Sequence, residues 1–369
     1  MLTPISRVAL CALLALPAVS FAQQSLFQSG NSEPAQEMAK STEFAIPASS
    51  AYALLDASST LVTQPAVIRD LKVDWSMRSY SLAPNIALEV QPLWEIMYNN
   101  TTLGKYRKAS PLMRTLSTFS LSAGTFQRDT ANQLAVAAKI TLYREKDPIM
   151  DDDYYLGLEE EFLEQREGLN KQLKDLYAQR DTAKSFKLKK NLRQQIKQAE
   201  TNYDRLDPDQ RQKLRDMRTE YLKDHWNSSQ VELAFGRVYN YQKITTDSLN
   251  LSSEGYGVWL TGCKGFGKKW LLSGSTRYSE LSQLSLVNIG GSMRYGTPNA
   301  NLFVEALYTH SFPSAVRNIP QNTLYTFAYG GDFKLSSGVR LGFGVRNVFN
   351  KSLQFKNFIP VASVNCLMR

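Results

Sequence analysis

Val339-Arg340-Leu341-Gly342-Phe343-Gly344-Val345-Arg346 is the stretch that decides the fold. Its odd positions are all apolar and its even positions are glycine or arginine. Such a period of two predicts a strand, because successive side chains of an extended backbone point to opposite faces. One face of this strand is apolar along its whole length, and the other carries charge.

The same period recurs upstream. Ile86, Leu88, Val90, Trp94 and Ile96 oppose Glu89, Gln91 and Glu95 over residues 86–97, and Leu134, Val136, Ala138, Ile140 and Leu142 oppose Gln133, Lys139 and Thr141. Val287, Ile289, Met293 and Tyr295 oppose Asn288, Ser292 and Arg294, while Leu302, Val304, Ala306 and Tyr308 oppose Asn301, Glu305 and Thr309. Tyr325, Phe327, Tyr329 and Phe333 oppose Thr326, Gly330, Asp332 and Lys334. Further segments lie near 113–125, 229–241, 254–263 and 267–278, separated by turn signals such as Gly265-Phe266-Gly267, Gly296-Thr297-Pro298-Asn299 and Ser336-Ser337-Gly338. This makes ten strands, and Val67–Trp75 with the tail from Leu353 raises the number to twelve.

A soluble β-sandwich also alternates. Long segments, aromatics near their ends and charge on the second face favour an outward apolar band around a polar lumen instead. The expected fold is an all-β transmembrane barrel of about 10–12 antiparallel strands with a long α-helical coiled-coil-like insertion, sited in the outer membrane. Its lumen-facing charges are Glu89, Glu95, Lys139, Arg277, Arg294, Glu305, Asp332, Arg340 and Arg346. Mixed signs in a narrow lumen tend to pair, which argues against a wide conducting pore.

The 369-residue chain is 43% hydrophobic and 21% charged, enough to build a core. Two His and three Cys leave little material for a metal centre or disulfide framework, so no metal and no cofactor is expected. Arg7, the apolar run Val8–Val19 and Ser20-Phe21-Ala22 have the form of a secretory signal peptide cleaved after Ala22. Its removal takes Cys11 and leaves Cys263 and Cys366, for which no disulfide is predicted. The boundaries read as leader 1–22, a periplasmic or lumen-associated segment 23–84, first strands 85–145, a helical hairpin 146–228 and the remaining strands 229–369.

Within the insertion the period becomes helical. Leu158, Phe162, Leu169, Leu173 and Leu176 are followed by Leu188, Leu192, Ile196, Ala199, Tyr203 and Leu206, then by Leu214, Met217, Tyr221 and Leu222. An insertion that leaves and returns between neighbouring strands turns near its midpoint, at 181–190, and Asp207-Pro208 marks a kink or helix restart. Asp151-Asp152-Asp153 and Glu159-Glu160-Glu161 suit a helix N-terminus. Lys184, Lys187, Lys189, Lys190, Arg193 and Lys197 form an acid-free run, which is either a solvated face or a contact surface for lipid phosphate, acidic glycan or a partner protein. Nucleic acid is excluded by the secreted location. Strand parity from a periplasmic N-terminus puts the insertion outside the cell.

Pro47-Ala48-Ser49-Ser50-Ala51-Tyr52-Ala53-Leu54-Leu55, with Val62-Thr63-Gln64-Pro65 and Ile68-Arg69-Asp70, and then Asn85-Ile86-Ala87-Leu88-Glu89-Val90-Gln91-Pro92-Leu93-Trp94, resemble the N-terminal region of an uncharacterised outer-membrane β-barrel family of Bacteroidota. Leu93 stands where that pattern has an aromatic. The resemblance covers about fifty residues and implies location and architecture, without catalytic residues. It also implies O-glycosylation at Asp-Ser/Thr-aliphatic triplets, which occur at Asp129-Thr130-Ala131, Asp181-Thr182-Ala183 and Asp247-Ser248-Leu249. Pro92 within a strand fits an edge or bulge.

Two local patterns imitate chemistry. His310-Ser311 with Ser314 and Asn318 has the residue types of a lipase site, yet His310 has lipid-facing parity. Gly262–Lys269 imitates a phosphate loop, but Lys269 replaces the required hydroxyl and the context is a hairpin. His225-Trp226 closes the insertion and packs where it meets the rim. The functional expectation is therefore a non-enzymatic barrel whose partners are outer-membrane lipid and, through the helical hairpin, an envelope protein or acidic glycan. A narrow porin or transporter is the alternative, and a lipid-active enzyme the second.

Overall fold

The structure, a computed structural model, describes residues 34–78, 81–99, 101, 103–127, 132–183, 185–203, 208–241, 251–281, 284–313, 322–336 and 338–368. The leader 1–22 with Cys11, and Lys184, Asp129-Thr130-Ala131, Leu206, Asp207, Asp247-Ser248-Leu249, Ser314 and Asn318, lie outside the described residues. The chain divides into two units, one containing 43–146 and 223–369, the other 32–42 and 147–222.

The first unit is a closed antiparallel barrel of twelve strands. They are β1 Leu71–Arg78, β2 Ser81–Val90, β3 Ser120–Gln127, β4 Asn132–Arg144, β5 Gln230–Tyr241, β6 Leu251–Phe266, β7 Trp270–Leu281, β8 Leu284–Gly296, β9 Ala300–Pro313, β10 Asn322–Ser336, β11 Val339–Asn350 and β12 Phe355–Met368. Each pairs with its sequence neighbours, and β1 closes the cylinder on β12, from Leu71 opposite Met368 to Arg78 opposite Val361. Closure leaves no edge strand with unpaired amides.

Burial along the strands follows the predicted parity. Residues 134, 136, 138, 140 and 142 of β4 are exposed or half-exposed, while 135, 137, 139 and 141 are buried. The outward side chains are large and apolar: Leu302 and Val304 are both 59% exposed, Ile289 54% and Tyr329 52%. Such a continuous apolar girth is stable against hydrocarbon and not against water, so the barrel is of the outer-membrane type. Aromatic pairs lie at both ends of the band, Trp270 with Tyr295 (4.6 Å between centroids) at one and Tyr256 with Tyr278 (6.4 Å) and Phe349 with Phe355 (5.9 Å) at the other.

Two expected strands are shorter than the pattern suggests. Residues 86–97 stop being a strand at Val90, because Pro92 has no amide to give the ladder and instead opens a helical turn, Pro92–Trp94, that runs into a π-helical turn, Glu95–Asn99. Glu95 is consequently not a lumen-facing strand residue: it sits half-buried in that turn and accepts from Asn99 Nδ2 at 2.6 Å. Trp94 and Ile96 leave the lipid face with it. Residues 113–125 contribute a strand only from Ser120, because Ser110 and Pro111 start a helix, Pro111–Ser117, with Ser110 Oγ capping the Met113 amide.

Four strands precede the insertion, so the chain leaves the barrel after β4 at the end where it entered β1 and where β12 finishes. The expectation of an insertion on the opposite side is thereby overturned, because Leu71–Arg78 is a full strand and shifts the parity by one. The tight connections 267–269 and 297–299 are at this same end. Gly267 takes the left-handed φ of +56° that the first of them requires. The phosphate-loop imitation is thus a hairpin turn.

The second unit is helical. Residues Pro34–Lys40 form α1, and the insertion contains α2 Asp152–Thr182, α3 Phe186–Tyr203 and α4 Pro208–His225, the last of which runs on into the barrel unit. Asp151 caps α2 by accepting from the Tyr154 amide, with Asp152 and Asp153 in the first turn. α2 ends at Thr182 and α3 starts at Phe186, and the return leg is two helices, because Pro208 starts a new one. Leu158 of α2 and Leu192, Ile196 and Ala199 of α3 are buried, whereas Leu169, Leu173 and Leu176 are half-buried. Around the base, Tyr154 stacks on Tyr221 at 4.1 Å, Thr42 Oγ1 shares a 3.0 Å hydrogen bond with Tyr154 OH, and Arg218 donates to the Ser41 carbonyl.

Candidate functional site

The lumen of the barrel is filled by the chain's own residues 43–70. This segment contains one short helix, Ser50–Leu55, here the lumen helix, capped by Ser49 and ended by Asp56 at φ 59°. Ala48, Ala51, Tyr52, Leu55 and Ala57 pack against Ala87, Phe126, Ala135 and Val238 of the wall. Ala45, Ile46, Ala66 and Ile68 pack with Leu367. Burial among these groups pushes the Tyr52 phenol up from its ordinary pKa.

The wall is shaped to admit it. A methyl group on Gly236 or Gly257 would stand 2.7 or 2.9 Å from the Leu54 side chain, and one on Gly342 or Gly344 would stand 2.6 or 2.7 Å from Ser59 atoms. The inward glycines of the founding motif are therefore where the segment approaches the sheet most closely.

Polar contacts finish the fit. On β1–β5 the wall mainly accepts: Asp74 Oδ2 from the Ser49 amide at 2.6 Å, Glu89 Oε2 from the Ser50 amide at 3.2 Å, Ser122 Oγ from the Ala51 amide at 2.9 Å and Glu232 Oε1 from the Ala66 amide at 3.0 Å, while Lys72 donates to the Pro47 carbonyl at 3.0 Å and Lys139 to the Ala66 carbonyl at 3.3 Å. On β7–β12 it mainly donates: Arg277 to the Ala53 carbonyl at 2.8 Å, Arg346 to the Asp56 carboxylate at 2.8 Å and to the Ser58 and Thr60 carbonyls, and Asn365 to the Ile46 carbonyl at 3.2 Å. Glu305 is the exception and accepts from the Leu61 and Val62 amides. The lumen helix thus has its amide end at carboxylates and its carbonyl end at guanidinium groups, the favourable alignment for a helix dipole.

The buried charges also pair among themselves. Lys72 and Lys139 each lie 3.1 Å from Glu89, and 3.8 Å from Asp74 and Glu232 respectively. Arg294 bridges Asp332 and Glu305, and Arg340 donates to the Pro298 carbonyl at 2.7 Å. Among the expected lumen charges, Glu89, Lys139, Arg294, Glu305, Asp332, Arg340 and Arg346 are placed buried on the inner face, and Arg277 half-buried beside the lumen helix. Sequence reasoning missed Lys72, Asp74 and Glu232. Their signal was present as the inward positions 72, 74 and 76 of β1 and 230, 232 and 234 of β5, opposite Trp75 and Met77 and opposite Leu233 and Phe235.

Cavities of about 20 and 30 Å³ lie beside the segment, one lined by Arg294, Asp332, Arg340 and Asn365, the other by Asp56, Trp259, Arg277 and Asn288. Spaces of that size hold a water or two. Beneath the segment's exit, Arg69 lies over Trp94 at 4.6 Å and Tyr106 at 5.6 Å, with Tyr98 completing the aromatic cluster. This packing explains why Trp94 is buried rather than lipid-facing.

The imitated lipase site is taken apart by parity. Ser311 is buried and donates to the Asn322 carbonyl at 3.0 Å, whereas its sequence neighbour His310 has the other parity and pairs with Thr323 Oγ1 at 3.1 Å. Cys263 and Cys366 are free thiols. Trp226 is buried with Cys263 and Leu271 and donates to the Lys268 carbonyl at 2.9 Å. Among the described residues no cluster of His, Cys, Asp and Glu has the geometry to hold a metal ion. On the helical unit Lys187, Lys189, Lys190, Arg193 and Lys197 are all exposed.

No family model and no curated relative matches this chain. Solved structures do, at the level of barrel architecture. The KdgM porin is 8% identical over 81% of this chain and 99% of its own, with a TM-score of 0.35. The NanC porin is likewise 8% identical over 81% and 99%, with a TM-score of 0.33, and the CymD monoaromatic hydrocarbon channel is 7% identical over 82% and 89%, at 0.31.

Proposed function

We propose that this protein is a stoppered outer-membrane barrel that performs no catalysis and serves as the membrane anchor of a helical docking unit. The observation that carries the reading is the occupied lumen: the inward charges are spent on the chain's own segment and on one another. The largest elaboration of the described chain is the helical unit, whose α3 presents Lys187, Lys189, Lys190, Arg193 and Lys197 without an intervening acid. That face suits an acidic envelope protein or acidic glycan, and the α2–α3 pair supplies a coiled-coil-like seam for it. The N-terminal resemblance to Bacteroidota barrels is part of this reading, and the segment that carries it is largely the one in the lumen.

The insertion leaves from the end at which β1 begins and β12 finishes, so a periplasmic N-terminus assigns it to the periplasm. Protease added to intact cells should spare Lys187–Lys197 and cut there once the outer membrane is permeabilised; cleavage on intact cells would overturn the assignment. Deleting 152–222 should leave a heat-modifiable barrel that no longer retains crosslinked envelope partners, and unchanged partners would sink the docking role. The narrow porin is a second reading, supported by the continuous charged wall behind the segment.

A further inference from the structure

The lumen segment has the features of something that can leave. It joins no strand ladder of the barrel, it is rich in Ala, Ser and Thr, and the two free thiols lie on β6 and β12, so no disulfide holds it. Its leading end continues covalently into α1, which belongs to the helical unit. The wall behind it is also incompletely satisfied: Arg294 Nε, Arg340 Nε, Arg346 Nε and Asn365 Oδ1 are buried without a hydrogen-bond partner. Groups of this kind cost free energy unless water or a ligand meets them.

The character of that wall is set by its residues. On β7–β11 the inward Arg277, Arg294, Arg340 and Arg346 stand against Glu305 and Asp332. The balance there is made up by the segment itself, through the Asp56 carboxylate on Arg346 and the carbonyls of Ala53, Ser58 and Thr60. Arg346 is buried, whereas the Asp56 side chain is 43% exposed, so the carboxylate reaches the guanidinium from the more open side. Guanidinium groups hold carboxylates in this way wherever planar acids are recognised.

We infer that residues 45–66 are a removable stopper, and that the passage they vacate admits small carboxylate-bearing solutes along Arg277 and Arg346, in the position Asp56 now occupies. This rests on the membrane-barrel reading and not on the docking role, which its own pull-down tests separately.

The test uses the full chain in planar bilayers, with Cys263→Ser and Cys366→Ser as background. That parent should carry no steady current. Deleting 45–66 should open a steady conductance preferring chloride over potassium by about threefold, since fixed charge on a narrow wall enriches the counter-ion. Gluconate at millimolar concentration should partly block it, and Arg277→Ala with Arg346→Ala should remove both the block and the preference. Because the deletion can fail to fold, a second variant avoids it. Leu54→Arg drives the lumen helix off Gly236 and Gly257, while Ser59→Cys and Ser363→Cys, whose hydroxyl oxygens are 3.0 Å apart, tie the segment to β12. This triple variant should be silent when oxidised and conduct after reductant. A heat-modifiable deletion barrel that passes no current, or passes cations at least as well as anions, overturns the inference, as does a triple variant indifferent to reductant.

Discussion

The two walls of the lumen hold one segment with a different balance of groups. On β1–β5, two lysines and three carboxylates form a mutually paired network whose spare oxygens receive the amides of Ser49, Ser50 and Ala66 and whose lysines also reach the Pro47 and Ala66 carbonyls. On β7–β12, long arginines reach across to carbonyls and to Asp56. The charges of the first wall are paired within the wall, and those of the second are completed in larger part by the segment. Lysine, a point charge, suits a compact cluster, whereas the guanidinium fork can serve three acceptors from one side chain, as Arg346 does.

That contrast can be broken most severely at Glu89. Glu89→Leu leaves the buried Lys72 and Lys139 with carboxylates no nearer than 3.8 Å and the Pro47 and Ala66 carbonyls, and should cost about 3–5 kcal/mol in urea unfolding from lipid vesicles, the range for removing one partner of a buried charge set. Arg346→Ala should cost less, about 1.5–3 kcal/mol, because the Asp56 carboxylate it releases is part-exposed and can be hydrated. Equal losses at the two positions would show that the walls are energetically alike.

A third variant separates wall from segment. Gly344→Ala puts a methyl 2.7 Å from the Ser59 carbonyl and should destabilise by about 1–3 kcal/mol, the usual cost of overpacking. In a chain lacking 45–66 most of that loss should vanish, since the remaining near contacts, Phe303 and the Tyr329 carbonyl, are 3.3 and 3.6 Å away. Persistence of the full loss would place the strain within the barrel.

The smallest effect lies outside both walls. Glu145, just past β4, is held below the ordinary carboxylate pKa by hydrogen bonds from Ser229, whose amide donates at 2.9 Å. A carboxylate whose folded pKa is depressed adds stability above its unfolded pKa and loses it as pH falls through the folded value. Melting temperature should therefore drop slightly on acidification below about pH 4, and Glu145→Gln should flatten that component. Since the group is largely in solvent, a few tenths of a kcal/mol is the expected scale. A pH profile unchanged by the substitution would remove Ser229 as the cause.

Legibility in the sequence followed the range of the interaction. Alternation over β4, β5 and β8–β11 was readable because a strand's two faces are decided within a few residues. Where a proline broke the ladder at Pro92, or Ser110-Pro111 seeded a helix, the period alone overran the true strand ends and misplaced Glu95, Trp94 and Met113. Leu71–Arg78 was underweighted since Val73 and the charged Lys72 and Asp74 blur its alternation, and with it went the side on which the insertion emerges.

By itself, then, the sequence determined which side chains meet lipid and which turn inward, since that choice is local and repeats every second residue. Only the tertiary structure decided what the inward groups meet. Arg346 and Asp56 are 290 residues apart, and Glu305 and Leu61 are 244 apart. No periodicity links such positions; the closure of β1 on β12 brings them around one enclosed space, where burial leaves each charge no partner but the segment threaded through it.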